Sequence, residues 1–218
     1  MKFKKLYICV CCFIFACVGV LAYKLCQDVL EEAAYKVSQG AVDNLLEEMS
    51  YEWSQDASDN LLVEIAYKYY KGDGVEKNYQ EAFNLYKKAA EKGNAVAQYM
   101  LGGMYLAGEG VEQNSREAFK WYKKAAEQGH AGAQYVLGGM YFMGIGVEKN
   151  SQEAFKWIKK AAEQGNVEGQ RELGRLYYMG EGVEKNSREA FKWYKKAAEQ
   201  GDEIAQKSVK DLKFFDEK

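Results

Sequence analysis

A glycine-rich motif that recurs every 36 residues constrains this 218-residue chain more than any other feature. Each copy is followed by an asparagine, an Ala-Phe pair and a Lys-Lys-Ala-Ala run, and the four copies begin at Gly72, Gly108, Gly144 and Gly180. A period of this length is typical of proteins built from helix pairs, because one such pair buries its apolar face only against its neighbours. The sequence therefore predicts an all-α solenoid of four stacked helix pairs.

Each predicted helix has recognisable start and stop signals. The first helix of a copy is expected to begin after an N-cap such as Asn94 and to end at a glycine such as Gly108, where a left-handed backbone is common. The second helix is expected to begin after an asparagine with a glutamate three residues on, as at Asn114 and Glu117. Because the glycine motifs follow helices rather than strands, they indicate turns and not phosphate-binding loops.

The composition is that of a folded protein whose partner is not a nucleic acid. Hydrophobic residues make up 48% of the chain and charged residues 28%, so a sizeable core is expected. The net charge is -2, and Lys2, Lys4 and Lys5 all precede the first acidic residue, Asp28, which leaves the rest of the chain more acidic still. Nucleic-acid binding needs a basic surface that displaces counterions, so this class of partner is not expected.

An apolar run of 18 residues, from Leu6 to Tyr23, follows the basic start of the chain. It is long enough to cross a bilayer, and its flanking lysines predict that everything after it lies outside the cytoplasm, in the periplasm or secreted. Three interpretations stay open: a signal peptide cleaved after Ala22, a retained anchor, or a lipoprotein acylated at Cys17. Residues 1–26 are therefore assigned to a signal peptide or membrane anchor, and membrane contact is expected through this segment if it is uncleaved.

The rest of the chain divides by its repeat pattern. All five cysteines lie within the first 26 residues, so no disulfide is expected in the repeats. Residues 27–57 have a helical pattern without the repeat and are predicted to form a stalk and N-terminal cap. Residues 203–218 look like a first helix without a second, which predicts a C-terminal capping helix. Between them, residues 58–202 are expected to form four repeats with boundaries at 58–94, 95–130, 131–166 and 167–202.

Two segments carry a family resemblance. They are Tyr-Leu-Ala-Gly-Glu-Gly-Val at residues 105–111 and Glu-Ala-Phe-Lys-Trp-Tyr-Lys-Lys-Ala-Ala-Glu-Gln-Gly at residues 117–129. Together they resemble the SEL-one-like repeat, and the resemblance covers about residues 59–202. It implies a right-handed superhelical solenoid of antiparallel helix pairs, related to the tetratricopeptide repeat, that acts as an adaptor for other proteins. Many bacterial proteins of this kind are exported.

Several positions that differ between copies share one face of each first helix. In tetratricopeptide relatives the first helices line the concave side, so the resemblance implies a groove with an apolar, aromatic middle and a charged end. An extended peptide or helix is expected there, with an apolar side on the aromatic residues and a carboxylate near an arginine. The residues expected to contact this protein or peptide partner are Tyr99, Gly103, Leu106, Tyr135, Gly139, Phe142, Arg171, Arg175 and Tyr178.

The alternative is that these side chains serve packing alone. The aromatic residues of the set would then pack between successive first helices, and the two arginines would pair with Glu168 and Glu172 along their own helix. On the second helices, Phe119 and Trp121 recur between copies and are expected to pack between repeats under either interpretation.

Catalysis is not expected from this residue content. His130 is the only histidine, and it stands where other copies have a cap residue such as Asn94 or Asn166. Because the repeats have no cysteine, neither a Cys-His pair nor a two-histidine zinc site can be assembled, so no catalytic residue, cofactor or metal is predicted. Some secreted relatives are described as binding or hydrolysing β-lactams, but those relatives carry a cysteine pair in each repeat, which this chain lacks.

The sequence thus predicts a non-catalytic scaffold on the extracytoplasmic side, with a partner chain in its groove. Two alternatives stay open. One is a binder or hydrolase of β-lactams or other cell-wall small molecules, and the other is an exported factor that acts on a host cell. The repeat itself does not name the partner.

Overall fold

The structure is a computed structural model that describes residues 55–216, with side chains from residue 60 to residue 212. The predicted signal or anchor at residues 1–26, its cysteines, and most of the predicted stalk at residues 27–57 lie outside the described residues. In the described part of the chain there are nine α-helices and no strand: α1 (Gln55–Lys71), α2 (Tyr79–Glu91), α3 (Ala95–Ala107), α4 (Ser115–Glu127), α5 (Ala131–Met143), α6 (Ser151–Glu163), α7 (Val167–Met179), α8 (Ser187–Glu199) and α9 (Glu203–Asp216).

The described chain divides into two units. One contains residues 59–71 and 77–216, and the other contains residues 55–58 and 72–76. The larger unit holds the repeats. In it, the odd-numbered helices are the first helices of the repeats and the even-numbered ones are the second helices. Between α2 and α9, every two helices that are consecutive in the chain pack against each other. This confirms the predicted all-α repeat solenoid.

The hydrophobic core recurs with the same 36-residue period as the sequence. Small residues line each second helix, as with Ala118 and Ala125 of α4, and they are fully buried against large apolar residues of the next first helix, such as Leu137 of α5. Rings also cross each boundary: Phe119 meets Tyr141 edge-on, with ring centroids 5.3 Å apart. Equivalent pairs join α2 to α3 and α6 to α7. The predicted packing of this phenylalanine position between repeats is confirmed.

Helix ends follow the predicted capping residues. The Asn114 side chain accepts hydrogen bonds from the backbone N–H groups of Arg116 and Glu117, which lack partners within the helix. At the other end of the first helices, Gly108 has a φ of 75°, and its N–H donates to the carbonyl of Met104. A side chain at this φ is strained, so the glycine motif is needed for the turn. These turns fix the angle at which each second helix returns along the first.

A second glycine position lets the two helices of a repeat approach closely. A Cβ on Gly138 of α5 would lie 2.5 Å from Cγ1 of Ile158 on α6, and one on Gly174 would lie 2.9 Å from the Tyr194 ring. The equivalent residue of α9 is Lys210, which is exposed. A second helix cannot approach a lysine as it approaches a glycine, so the close helix contact made within the repeats is not possible at this position of α9.

A buried glutamine forms hydrogen bonds across each repeat boundary. Gln134 is 4% exposed, donates to the carbonyl of Ala126 on the preceding helix (3.1 Å), and accepts from Gln164 at the end of the following helix (2.6 Å). Gln98 and Gln170 make the same contacts in their repeats. The repeat pattern does not predict this network, which satisfies polar groups that would be costly to bury alone.

Candidate functional site

Large exposed apolar side chains are confined to the first helices. Among the side chains described, they are Tyr67 (48% exposed), Val96 (46%), Met143 (63%), Met179 (58%) and Ile204 (62%). Val96 and Ile204 occupy the same position in different repeats, as do Met143 and Met179. On an α-helix, residues spaced by four, seven and eleven share one side. We call the resulting surface the first-helix face: Val96, Met100, Gly103 and Ala107 of α3, Gly132, Val136, Gly139 and Met143 of α5, Glu168, Glu172, Arg175 and Met179 of α7, with Tyr67 and Ile204 at its two ends.

The second helices present a different surface. Every exposed residue of α4 is charged, and all those of α2, α6 and α8 are polar or charged. On α4, Lys120 pairs with Glu117 (2.5 Å), and the ammonium group of Lys124 lies 4.1 Å from the centre of the Trp121 ring. A shallow cleft of about 380 Å³ beside this helix is lined by these same residues. Because the charges in the cleft already have partners, this surface is typical of a solvated face.

Tyr99 is engaged in packing between repeats. Its ring stacks on His130 at the start of the next first helix, with centroids 4.7 Å apart, and meets Tyr122 edge-on at 5.6 Å. His130 caps α5, since its Nδ1 accepts a hydrogen bond from the backbone N–H of Ala133 (3.1 Å). Burial lowers the pKa of His130 below its usual value, which favours the neutral ring that this cap requires. Tyr99 therefore makes the contacts between repeats that the packing alternative expects.

Three further predicted residues also pack against the core. Leu106, Phe142 and Tyr178 are half-buried and each lies against a core cluster of its own or the next repeat. The guanidinium group of Arg175 lies 4.8 Å from the centre of the Phe142 ring, and the ammonium group of Lys149 lies 5.4 Å from it. These residues are therefore only partly exposed. The exposed residues Met143 and Met179 directly follow Phe142 and Tyr178 in the sequence.

Both predicted arginines already have carboxylate partners. Arg175 contacts Glu172 (2.8 Å) on its own helix, as the packing alternative predicted, and also Glu181 (2.6 Å) in the following turn. Arg171 contacts Asp202 (2.7 Å), the cap of α9, and not Glu168. Carboxylate partners raise the pKa of Arg175 further above its usual value. A partner carboxylate at either arginine would compete with these groups, so the structure does not favour the expected carboxylate contact.

The other predicted residues are near open space. A Cβ on Gly139 would meet only the flexible end of Met143, at 3.9 Å, and the Tyr135 side chain is half-buried. Gly103 is more crowded, because its Cβ would lie 3.3 Å from the hydroxyl oxygen of Tyr122. Of the nine predicted residues, Gly103, Gly139 and Arg175 belong to the first-helix face. Partner binding by the nine residues stays a prediction.

The most exposed apolar residues were not among the nine predicted. Val96 lies three residues before Tyr99, and Met143 directly follows Phe142, so the predicted set is rotated slightly about the helix axis from the exposed one. The recurrence of an apolar residue at positions 96 and 204, outside the core pattern, is a signal in the sequence that could have identified this row.

Within residues 55–216, no group of three or more histidine, cysteine, aspartate or glutamate side chains is placed to hold a metal ion. In the same span, no helix combines the length and apolarity needed to cross a bilayer.

Comparison with known proteins places the repeats in a described family. Residues 62–94, 95–130, 131–166 and 167–202 each match the Sel1 repeat. No protein of curated function matches the chain. A solved structure of c5321, a protective antigen present in uropathogenic Escherichia coli strains with an SLR fold, is 40% identical, with a TM-score of 0.71 over 74% of this chain and 34% of c5321. A Sel1 repeat protein from Oxalobacter formigenes is 39% identical, with a TM-score of 0.68 over 84% of this chain and 74% of that one. This chain therefore spans about a third of the length of c5321.

Proposed function

Because this chain belongs to the Sel1 repeat family, we propose that it is a non-catalytic scaffold that binds a protein or peptide partner on its first-helix face. Sel1 repeat proteins are generally protein-interaction scaffolds without catalytic activity. The family leaves open which surface makes the contact, so the surface has to be argued from this chain.

The confinement of exposed apolar residues to the first helices carries the proposal. The second helices show that the same repeat can place lysine and glutamate at its solvent-facing positions. On the first helices the exposed residues include Val96, Met143 and Met179. Covering these apolar side chains with another surface removes them from water, which is favourable. Methionine adapts its shape to varied apolar partners, so it suits a contact surface.

The central part of the first-helix face, on α3 and α5, is uncharged and can contact apolar side chains of a partner. Neither α3 nor α5 contains a charged residue, and each is thirteen residues long. Gly139 leaves the backbone partly uncovered beside Met143, which provides room for a partner side chain. The contacts of Tyr99 with the next repeat hold the two helices in place, so little ordering is required when a partner binds.

One substitution tests whether this face binds. In Gly139→Glu the new Cβ meets only the flexible end of Met143, at 3.9 Å, and the change replaces a helix-interior glycine, so the melting temperature should be unchanged or slightly raised. It also places a carboxylate in the middle of the uncharged part of the first-helix face. Peptides selected from a random display library on the full-length wild-type protein should bind Gly139→Glu at least about tenfold more weakly, because an unpaired charge would be buried in the contact.

The matched control is Gln152→Glu, which adds the same charge at an exposed position of the second helix α6. This variant should bind the selected peptides as the wild type does. A library that yields no binding peptide, or peptides weakened equally by both substitutions, would show that the first-helix face is not the binding surface.

We propose in addition that the repeats act outside the cytoplasm, either in the periplasm, secreted, or anchored by an uncleaved N-terminal segment. The support is the apolar run from Leu6 to Tyr23, which lies outside the described residues, together with the relative c5321, which is a protective antigen. A fusion of alkaline phosphatase after the last residue should be active in intact cells. An inactive fusion, with the protein recovered from the cytosol, would reject this location.

The two alternative functions stay predictions without an observation in the described residues that favours them. Turnover of nitrocefin by the purified protein would support the β-lactam hydrolase. Recovery of the protein inside host cells would support the host-directed factor.

A further inference from the structure

The first-helix face changes from uncharged to acidic along the stack. The two positions held by Val96 and Met100 on α3, and by Gly132 and Val136 on α5, are held on α7 by Glu168 and Glu172, and on α9 by Ile204 and Ser208. A segment that follows this row meets two uncharged helices, then a pair of carboxylates one helical turn apart, and then an isoleucine.

The positive charges on α7 offset this pair only in part. Arg171 is matched by Asp202, whereas Arg175 is shared between two carboxylates, Glu172 and Glu181, so this group of three keeps one excess negative charge. Glu168 is exposed and has no ion-pair partner among the described side chains. The edge formed by the first turns of α7 is therefore negative.

Building on the proposed function, we infer that the partner is a peptide segment in which a lysine or arginine lies between apolar side chains, and that Glu168 and Glu172 select this basic residue. Its apolar side chains lie on the face of α3 and α5, and its cation lies at the α7 edge. This charge is opposite to the one expected from the sequence, which placed an acidic group of the partner near the arginines.

The physical basis is charge complementarity beside an apolar contact. Glu168 has no ion-pair partner among the described side chains and Arg175 neutralises only one of its two carboxylate partners, so a cation placed beside Glu168 and Glu172 reduces the repulsion between like charges at this edge. An ion pair at the rim of an interface contributes little affinity, but it excludes partners of the wrong charge and sets their register. A segment with an acidic residue at this place would meet Glu168 directly and is excluded.

The test uses peptides from a random display library selected on the full-length protein. The selected sequences should be enriched in lysine or arginine next to apolar residues. These peptides should bind Glu168→Lys about five- to tenfold more weakly than wild type, with the difference shrinking at high salt because surface charges are screened. Their lysine-to-glutamate counterparts should show the reverse preference and bind Glu168→Lys better.

The control is Glu163→Lys, the same charge reversal on the second helix α6, where Glu163 is exposed and contacts Lys159 at 3.8 Å. It should leave peptide binding unchanged. Selected peptides that are apolar without a charge preference, or that carry acidic residues, would overturn this inference while the proposed function stands. A library that gives no binders would overturn the proposed function itself.

Discussion

Acidification should destabilise this protein through the cap of α5, because His130 is the only histidine of the chain and its side chain caps that helix. The other first helices are capped by Asn94, Asn166 and Asp202. The His130 cap works only when Nδ1 is unprotonated, since it accepts the N–H of Ala133 at 3.1 Å. A proton on Nδ1 removes that acceptor and places a positive charge at the positive end of the helix.

The sign follows from the lowered pKa of His130 in the folded state. As the pH falls below the ordinary value of 6.5, the unfolded chain takes up the proton while the folded chain resists it. The stability contributed by the neutral cap is therefore complete above pH 6.5 and is lost as the pH falls toward the folded pKa.

The magnitude can be estimated from the contacts. A lost cap hydrogen bond costs about 1 kcal/mol. The unfavourable charge at the helix end adds about 0.3 kcal/mol, at the low end of the range because the ring is half-exposed. For a domain of this size, the total lowers the melting temperature by about 3–5 °C.

The assay is thermal unfolding followed by circular dichroism, on wild type and His130→Asn, at about pH 7.5 and about pH 5. Asparagine caps without titrating, so the wild type should lose about 3–5 °C more than His130→Asn on acidification, beyond the carboxylate effects that both share. The converse variant Asn166→His should gain a similar extra loss. Melting temperatures that fall in parallel for all three proteins would refute the neutral cap.

Two further predictions concern buried polar groups. Gln134→Leu should lower the free energy of unfolding by about 1–3 kcal/mol, because the side-chain amide of Gln164 loses its acceptor. Gln206→Leu, at the exposed end of the network, should lower it by less than about 0.5 kcal/mol. Equal losses of stability in urea unfolding would contradict the role of the network. Tyr86 is fully buried, and its hydroxyl has no hydrogen-bond partner among the described residues, so Tyr86→Phe should leave stability unchanged or raise it by up to about 1 kcal/mol, and a clear loss would show that the hydroxyl has a partner. Ile158, the equivalent residue two repeats later, is already apolar.

The sequence predicted the helices well because their signals are local. Asn114 and Gly108 determine where helices begin and end through hydrogen bonds within a few residues, and the same signals recur in each copy. The packing of Phe119 between repeats followed from its recurrence. These features depend on the period and the caps, and both can be seen without coordinates.

The candidate surface was harder to predict because it depends on how the helices are rotated and stacked. Whether Val96 or Tyr99 faces solvent depends on the rotation of α3 about its own axis, which the neighbouring repeats determine. The pairing of Arg171 with Asp202 joins residues 31 positions apart across a repeat boundary, and a pattern within one helix offers only Glu168 as a partner. The sequence therefore suggests that the charge of Arg171 is free to bind a partner, whereas in the structure it is already paired with Asp202.

Lys210 also bears on how another helix could meet α9. Within the repeats, the glycine at this position lets the second helix lie at close range against the first. Because Lys210 is larger, a helix that covers α9 has to keep a greater distance, so its contact with α9 differs in geometry from the contacts inside the repeats.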